Sequence, residues 1–343
     1  MPSIAYLNTI SPNNTLVQRP HHMLRWLADL GWEVLWVEEN SKKGYFREID
    51  EHGIKIYYNT ETFFKKFNGK IDVLFMSWSK RYEDIEKLNP KFVVYDSLDK
   101  FSSNEEFEES ACKSSDLVFT TTERLKEERS IFNNNIYVLP NGCFTNNAYK
   151  NYDVPEDMSK YPKPWILFSG ALSDSTMEHG WCDLDLMKAV SEKYTTFVVG
   201  KQWNISPQNN YKLKNVHMLG TKSYGDLMAY YKHCDVNILP FADNQIAQYS
   251  QPLKVIEAMS HGKINVCTNM HEVKILKEKC PNGILIAENT NDFINKINIA
   301  VNKKDEFKQE IMECAKEYDW NIIVNKMDRI MREEMLKKGV LFE

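Results

Sequence analysis

The chain has 343 residues, 43% of them hydrophobic and 27% charged, with a formal net charge of −5. That length suits two domains rather than one, and the slight acidic balance argues against nucleic acid as the main partner. The seven cysteines are scattered and form no C-x-x-C pair, which disfavours both a disulfide framework and a zinc site.

The N-terminal residues MPSIAYLN enter a strand pattern directly. No apolar run approaches the ~18 residues of a membrane span, so a soluble, cytoplasmic protein is expected. SIAYLN, a helix from about Pro20 to Leu30, and WEVLWVE read as an opening βαβ unit. Strand patterns continue through IKIYY, DVLFM, KFVVYD, DLVFTT and IYVLP, with helical patterns such as EEFEESACK and ERLKEERSIF between most of them. Strands this rich in Val, Ile, Leu and Tyr, separated by helices, predict a parallel sheet covered on both faces. Residues 146–163 are polar and proline-bearing and read as a linker.

The alternation then restarts with WILFSG, a helix through CDLDLMKAVSEKY, and the strands TTFVVG, VHMLG, DVNILP, KINVC and GILIA. Helices are expected near YGDLMAYYKH, PLKVIEAMSH and EVKILKEK, and DWNIIVNKMDRIMREEM reads as a long final helix. Two tandem Rossmann-like domains would bind ligands at the carboxyl ends of their strands. Neither SIAYLN nor WILFSG is followed by G-x-G-x-x-G, so NAD and FAD are disfavoured.

The most informative stretch is YSQPLKVIEAMSHG, residues 249–262. Proline suits a helix start because its missing N–H would be unpaired there. Lys254 and Glu257, three apart, share a helix face. A lysine beside a helix N-terminus invites an anion, and a carboxylate one turn deeper can accept hydrogen bonds from a diol. Gly170 ends a strand where bare backbone can approach phosphate, and Lys201 follows the next strand within reach of the same group.

Taken in order, QRPHHMLRWLADLGWEVLWVE, VVYDSLDKF, VLPNG, LFSGALSDS, GWCDLDL, NVHMLGTKSYGDLMAYYKHCDVNILPF, SQPLKVIEAMSHGKINV and YDWNIIVNKM resemble the bacterial group-1 glycosyltransferases of GT-B fold. The resemblance is greatest to the branch with teichuronic-acid and other surface-polysaccharide transferases. It implies an α/β fold of two Rossmann-like domains facing across a cleft: an acceptor-side domain over 1–145, the linker, and a nucleotide-sugar domain over 164–320. Residues 321–343 would form a helix returning toward the first domain. It also implies that Glu257 bonds ribose hydroxyls and that Lys254 meets the diphosphate. Ser250 and Pro252 would open that helix, and Gly220 would meet the base through its backbone. Many retaining relatives carry a glutamate eight residues before the first; here that position is Tyr249, so retention does not follow.

On the first-domain side, Arg19, His21 and His22 are candidates for acceptor or phosphate contact. Asp99 and, second, Asp96 are candidates for the general base that an inverting transfer needs; in a retaining transfer they would only position the acceptor. Asn141 and Gly142 read as a turn leading out of the first domain. ETFFKKFNGK mixes phenylalanine with lysine; a core-facing phenylalanine set with solvated lysines is the first expectation, and contact with an anionic membrane bearing a lipid-linked acceptor is the second. Asp183 and Asp185 have the letters of a D-x-D metal site but fall in a helical pattern, and no metal is expected. The expected function is transfer of a sugar from a nucleotide-sugar, first of all a UDP-sugar, to a glycan, lipid-linked or protein acceptor. The alternatives are a catalytically idle nucleotide-sugar-binding scaffold and a sugar-nucleotide epimerase.

Overall fold

The computed structural model describes residues 1–7, 11–12, 17–38, 47–100 and 105–340. These residues form two compact units, one of residues 1–140 with 320–343 and one of residues 141–319. The chain therefore leaves the first unit after Pro140 and re-enters it at Trp320.

The first unit holds a sheet of β1 (Ser3–Leu7), β2 (Glu33–Glu38), β3 (Arg47–Ile49), β4 (Lys55–Tyr58), β5 (Val73–Met76), β6 (Phe92–Ser97), β7 (Leu117–Thr120) and β8 (Ile136–Val138). Its order is β3-β4-β2-β1-β5-β6-β7-β8, and every pairing is parallel except that of β3 with β4. Strand β1 is buried throughout, as is β6, which is why neither shows the polar–apolar alternation of a half-exposed sheet. Helix α1 (Arg19–Asp29) follows β1.

The second unit holds a sheet of β9 (Trp165–Ser169), β10 (Thr195–Val199), β11 (Val216–Met218), β12 (Val236–Leu239), β13 (Asn265–Thr268) and β14 (Ile284–Ala287). All its pairings are parallel, in the order β11-β10-β9-β12-β13-β14. Alternate strand residues enter separate cores, as the pleat requires. Ile166, Phe168 and Val198 pack with α2 (Leu184–Ser191), while Leu167, Phe197 and Val199 pack with α3 (Tyr224–His233). Helix α4 (Leu253–Ser260) gives Val255, Ile256 and Met259 to the first of these cores and Ala258 to the second.

One expectation needs correction. The segment 146–163 is part of the second unit rather than a linker outside it. Met158, in a short helix at Glu156–Ser159, is fully buried against Trp165, Leu167 and Phe197. The phenylalanines of ETFFKKFNGK face the core, as the first reading of that stretch expects. Phe63 is fully buried with its ring 5.3 Å from Tyr57 and 4.6 Å from Phe67, and Phe64 is 9% exposed. Among the described residues, no helix is long and apolar enough to cross a membrane.

The final helix α5 (Trp320–Lys337) belongs to the first unit. Ile323, Val324, Met327, Ile330, Met331 and Met335 are its buried stripe, at the spacing of one helix face. Trp320 is fully buried and stacks on His22 with ring centroids 5.1 Å apart. Trp32 Nε1 donates to Asp328, and Lys338 pairs with Asp116 at 2.7 Å.

Candidate functional site

The order of the second sheet reverses between β9 and β12, and open parallel sheets take ligands beyond the carboxyl ends of the strands at such a switch point. Residues from three connections converge there. Strand β9 ends at Ser169 and passes into Gly170, β10 passes into Gly200, and the segment after β12 leads to α4. Lys254, in the first turn of α4, lies over the Phe168 and Phe241 rings, with Nζ 6.0 and 5.4 Å from their centroids.

Glycine is required at two of these positions. A Cβ on Gly170, whose φ is +122°, would fall 2.3 Å from Cε of Lys254. A Cβ on Gly200 would fall 2.0 Å from the carbonyl oxygen of Gly170. The backbone of one connection therefore touches that of the next, and the Lys254 side chain crosses directly above. Gly220 joins the same group through its carbonyl, which accepts from the Gly200 N–H at 2.9 Å. The Lys201 side chain is exposed, and its carbonyl accepts from Leu172 at 2.9 Å.

Helix α4 opens after Pro252 with no side-chain cap, so its first-turn N–H groups and dipole favour a negative charge. Pro252 is buried and Ser250 half-buried. The residue between them, Gln251, accepts hydrogen bonds from Asn141 on both its side chain and its backbone. That contact joins the start of the second unit to the start of α4.

Glu257 is 5% exposed. Tyr231 donates its hydroxyl to the Glu257 carboxylate at 3.0 Å, and the Tyr231 oxygen also bonds Ser169 at 2.5 Å. Tyr224 lies alongside the same carboxylate. Burial pushes the Glu257 carboxyl up to about 7, against the opposing pull of the Tyr231 hydroxyl and the Lys254 charge. Near neutral pH it therefore changes charge readily, and a ligand donating two hydroxyls to it would favour the ionised form. Tyr224 and Tyr231 lie on one face of α3 because seven residues make nearly two turns. YGDLMAYY carried that signal, although neither tyrosine was singled out from the sequence.

The residues of the first unit are arranged differently. Arg19 and Asp96, read as separate candidates, form one buried ion pair. Arg19 Nε and Nη2 donate to the two Asp96 oxygens at 2.8 and 3.0 Å, and Arg19 also donates to the Pro140 and Leu139 carbonyls. Asp96 is fully buried, so it is a structural anchor and not a base open to a hydroxyl. His21 and His22 are corrected likewise. His21 is fully buried, with its ring 5.0 Å from Trp36 and its nitrogens bonded to Ser11 and Gln18. His22 sits against Trp320, and burial pushes it down to about 3. Asp99 is half-buried just beyond β6, where a ligand of this unit would lie.

Asp183 caps α2 by accepting from Leu186, and Asp185 pairs with Lys212. Among the described residues, no group of three or more His, Cys, Asp or Glu side chains is placed to hold a metal ion.

Residues 163–303 match the family described as glycosyl transferases group 1. Sucrose-phosphate synthase from Thermosynechococcus elongatus has a similar structure, with a TM-score of 0.72 at 14% identity over 98% of this chain and 100% of that one. A glycosyltransferase from Rickettsia africae gives 0.70 at 14% identity, covering 97% and 98% of the two chains. The Anabaena protein HepE, solved with UDP and glucose, gives 0.70 at 14% identity over 97% and 100%. Comparison with curated proteins found no match. The fold is GT-B.

Proposed function

We propose, from a group-1 glycosyl transferase segment carried on a GT-B fold, that this chain transfers a sugar from a nucleotide-sugar donor held by its second unit. The observation that carries the reading is the pairing of Lys254 over Gly170 with the buried Glu257 one turn deeper. Lys254 and the N-terminus of α4 neutralise the diphosphate, so the reaction calls for no metal. Glu257 accepts from the ribose diol, each charge-assisted bond contributing roughly 1.5–3 kcal/mol. Ser250, Pro252, Gly170, Lys201 and Gly220 complete the donor side. The uridine nucleotides named for HepE, UDP and UDP-glucose, support a UDP-sugar as donor.

On the acceptor side, Asp99 takes the proton of the attacking hydroxyl in an inverting transfer and orients that hydroxyl in a retaining one. The acceptor of this reading is a glycan, lipid-linked or protein hydroxyl in cell-surface glycan or glycoprotein synthesis on the cytoplasmic side. A second reading, nucleotide-sugar binding without transfer, is favoured by Tyr249 in place of a glutamate and by the locked state of Asp96.

Thermal unfolding of the wild type and Glu257→Ala with UDP, GDP, dTDP, ADP and CMP tests the donor site. A ligand at about 100 times its Kd adds roughly 2.7 kcal/mol, a shift of a few degrees. One nucleotide should stabilise the wild type and not the variant; no shift with any of them overturns the reading. Donor hydrolysis or transfer then separates the enzyme from the idle binder.

A further inference from the structure

All seven cysteines lie among the described residues. Six of them are buried, and Cys314 is half-buried. A thiol sealed in a core is inert, whereas one that reaches the surface is open to oxidants. The neighbour of Cys314 decides what such an oxidation leaves behind.

Cys314 lies near the end of the helix Lys308–Ala315, and Cys280 directly follows the helix His271–Lys279. The two thiols share a side-chain hydrogen bond. The Cys314 thiol also donates to the carbonyl of Lys279, the residue joined to Cys280, at 3.6 Å. A Cβ on Gly283 would fall 2.6 Å from the Cys280 sulfur and 3.2 Å from Cγ1 of Ile311. Ile311 stands three positions before Cys314 and so on the same face of its helix. The Cys280 sulfur therefore lies over the bare backbone of Gly283, against the face that bears Cys314. Two further contacts hold these segments together: Lys279 pairs with Glu317 at 3.0 Å, and Asn282 donates to both Glu310 oxygens at 3.0 and 3.1 Å.

The two thiols are unequal. Cys280 is fully buried, and burial, then the Cys314 thiol beside it, pushes its own thiol up, so it stays protonated. Cys314 is the one an oxidant reaches. We infer that Cys314 and Cys280 form a reversible disulfide in the presence of a low-molecular-weight disulfide, Cys314 reacting first and Cys280 resolving the product. The Cys314 thiol loses its proton and its sulfur attacks one sulfur of the small disulfide. That S–S bond breaks, and the small thiolate that leaves takes up a proton. The Cys280 sulfur, giving up its proton in turn, attacks the Cys314 sulfur and expels the second small thiolate, which is protonated likewise. Two protein thiols are oxidised by two electrons, and one small disulfide is reduced to two thiols. The link closes the segment 280–314, which carries β14, and keeps the Cys314 sulfur from passing on to sulfinic and sulfonic acid.

Oxidised glutathione is the probe that tests it. The folded wild type, Cys280→Ser and Cys314→Ser are incubated with it, blocked with iodoacetamide, digested without reduction and mapped by mass spectrometry. The expected wild-type product is a peptide pair joined through Cys280 and Cys314, in at least tenfold excess over any glutathione adduct. Cys280→Ser should stop at the adduct on Cys314, and Cys314→Ser should react at least tenfold more slowly than the wild type. Dithiothreitol should return the wild type to free thiols. A wild type that accumulates the Cys314 adduct without the internal link overturns the pair. So does a link between Cys314 residues of two chains, or a wild type left unmodified while free cysteine in the same tube is oxidised.

Discussion

The Tyr231 hydroxyl bonds the Glu257 carboxylate at 3.0 Å and, through the same oxygen, Ser169 at the last position of β9. A helix, a strand end and the first turns of a second helix are tied by one short chain of oxygens in which Glu257 is the ionisable member. Its burial makes that carboxyl a source of both instability and function.

The first consequence is for stability. Glu257 has an ordinary value of 4.5 and is raised to about 7 in the folded chain. Between these values the folded state binds more protons than the unfolded one, so stability falls as pH rises through that window and levels off above it. Glu257→Gln lacks this loss. Urea unfolding at pH 4.5, 6 and 8 should show the variant gaining on the wild type, by about 3 kcal/mol in the limit.

Nucleotide binding should run the other way. A diol donating to Glu257 stabilises the carboxylate, so binding releases a proton below about pH 7, and wild-type affinity falls by up to tenfold per unit as pH drops. Calorimetry of the stabilising nucleotide in two buffers of different ionisation enthalpy measures the release. In Glu257→Gln the part due to this carboxyl disappears, leaving only that of the nucleotide phosphates.

Gly170→Ala places a methyl group 2.3 Å from Cε of Lys254 in a backbone conformation that disfavours alanine. Lys254 must leave its place over Phe168 and Phe241. The expected outcome is a folded protein whose unfolding midpoint falls by a few degrees and whose nucleotide Kd rises at least tenfold. Circular dichroism with calorimetry separates the two effects, and retention of wild-type affinity would sever Gly170 from the phosphate.

Asp96 and Asp99 should separate cleanly. Asp96→Ala leaves Arg19 buried without its partner, a loss of about 3–5 kcal/mol. Any fall in transfer should follow the folded fraction. Asp99→Asn should leave the unfolding midpoint within a degree or two of wild type and lower transfer by about 10²–10⁴-fold if Asp99 is the base. Equal transfer by Asp99→Asn and wild type would remove it from the mechanism.

Strand positions were legible because a buried parallel sheet writes itself as short apolar runs, and WILFSG or DVNILP needs no distant information. Lys254 and Glu257 were legible for the same reason, since their shared face is local helix geometry. His21 and His22 were misread because a helix start looks alike whether it faces a ligand or a core. What decides it are Trp36 and Trp320, the second of which lies about 300 positions away. Asp96 was misread in the same manner, its partner Arg19 standing 77 positions earlier. The packing of Trp181 on Trp203 joins two loops brought side by side by β9 and β10, a contact with no periodicity to announce it.

Within α1, Arg19 holds the carbonyls of Leu139 and Pro140, and His22, one turn on, stacks against Trp320. The segment leaving the first unit and the segment returning to it are thus gripped by neighbouring turns of one helix. During synthesis the two units have unequal prospects. Residues 141–319 are contiguous, so the second unit can complete its core as soon as it has emerged from the ribosome. The first unit emerges earlier, yet it lacks the apolar stripe of α5 until residues 320–337 follow. The half of the protein made first is therefore finished last, with the apolar partners of that stripe exposed to chaperones and to other nascent chains in the interval.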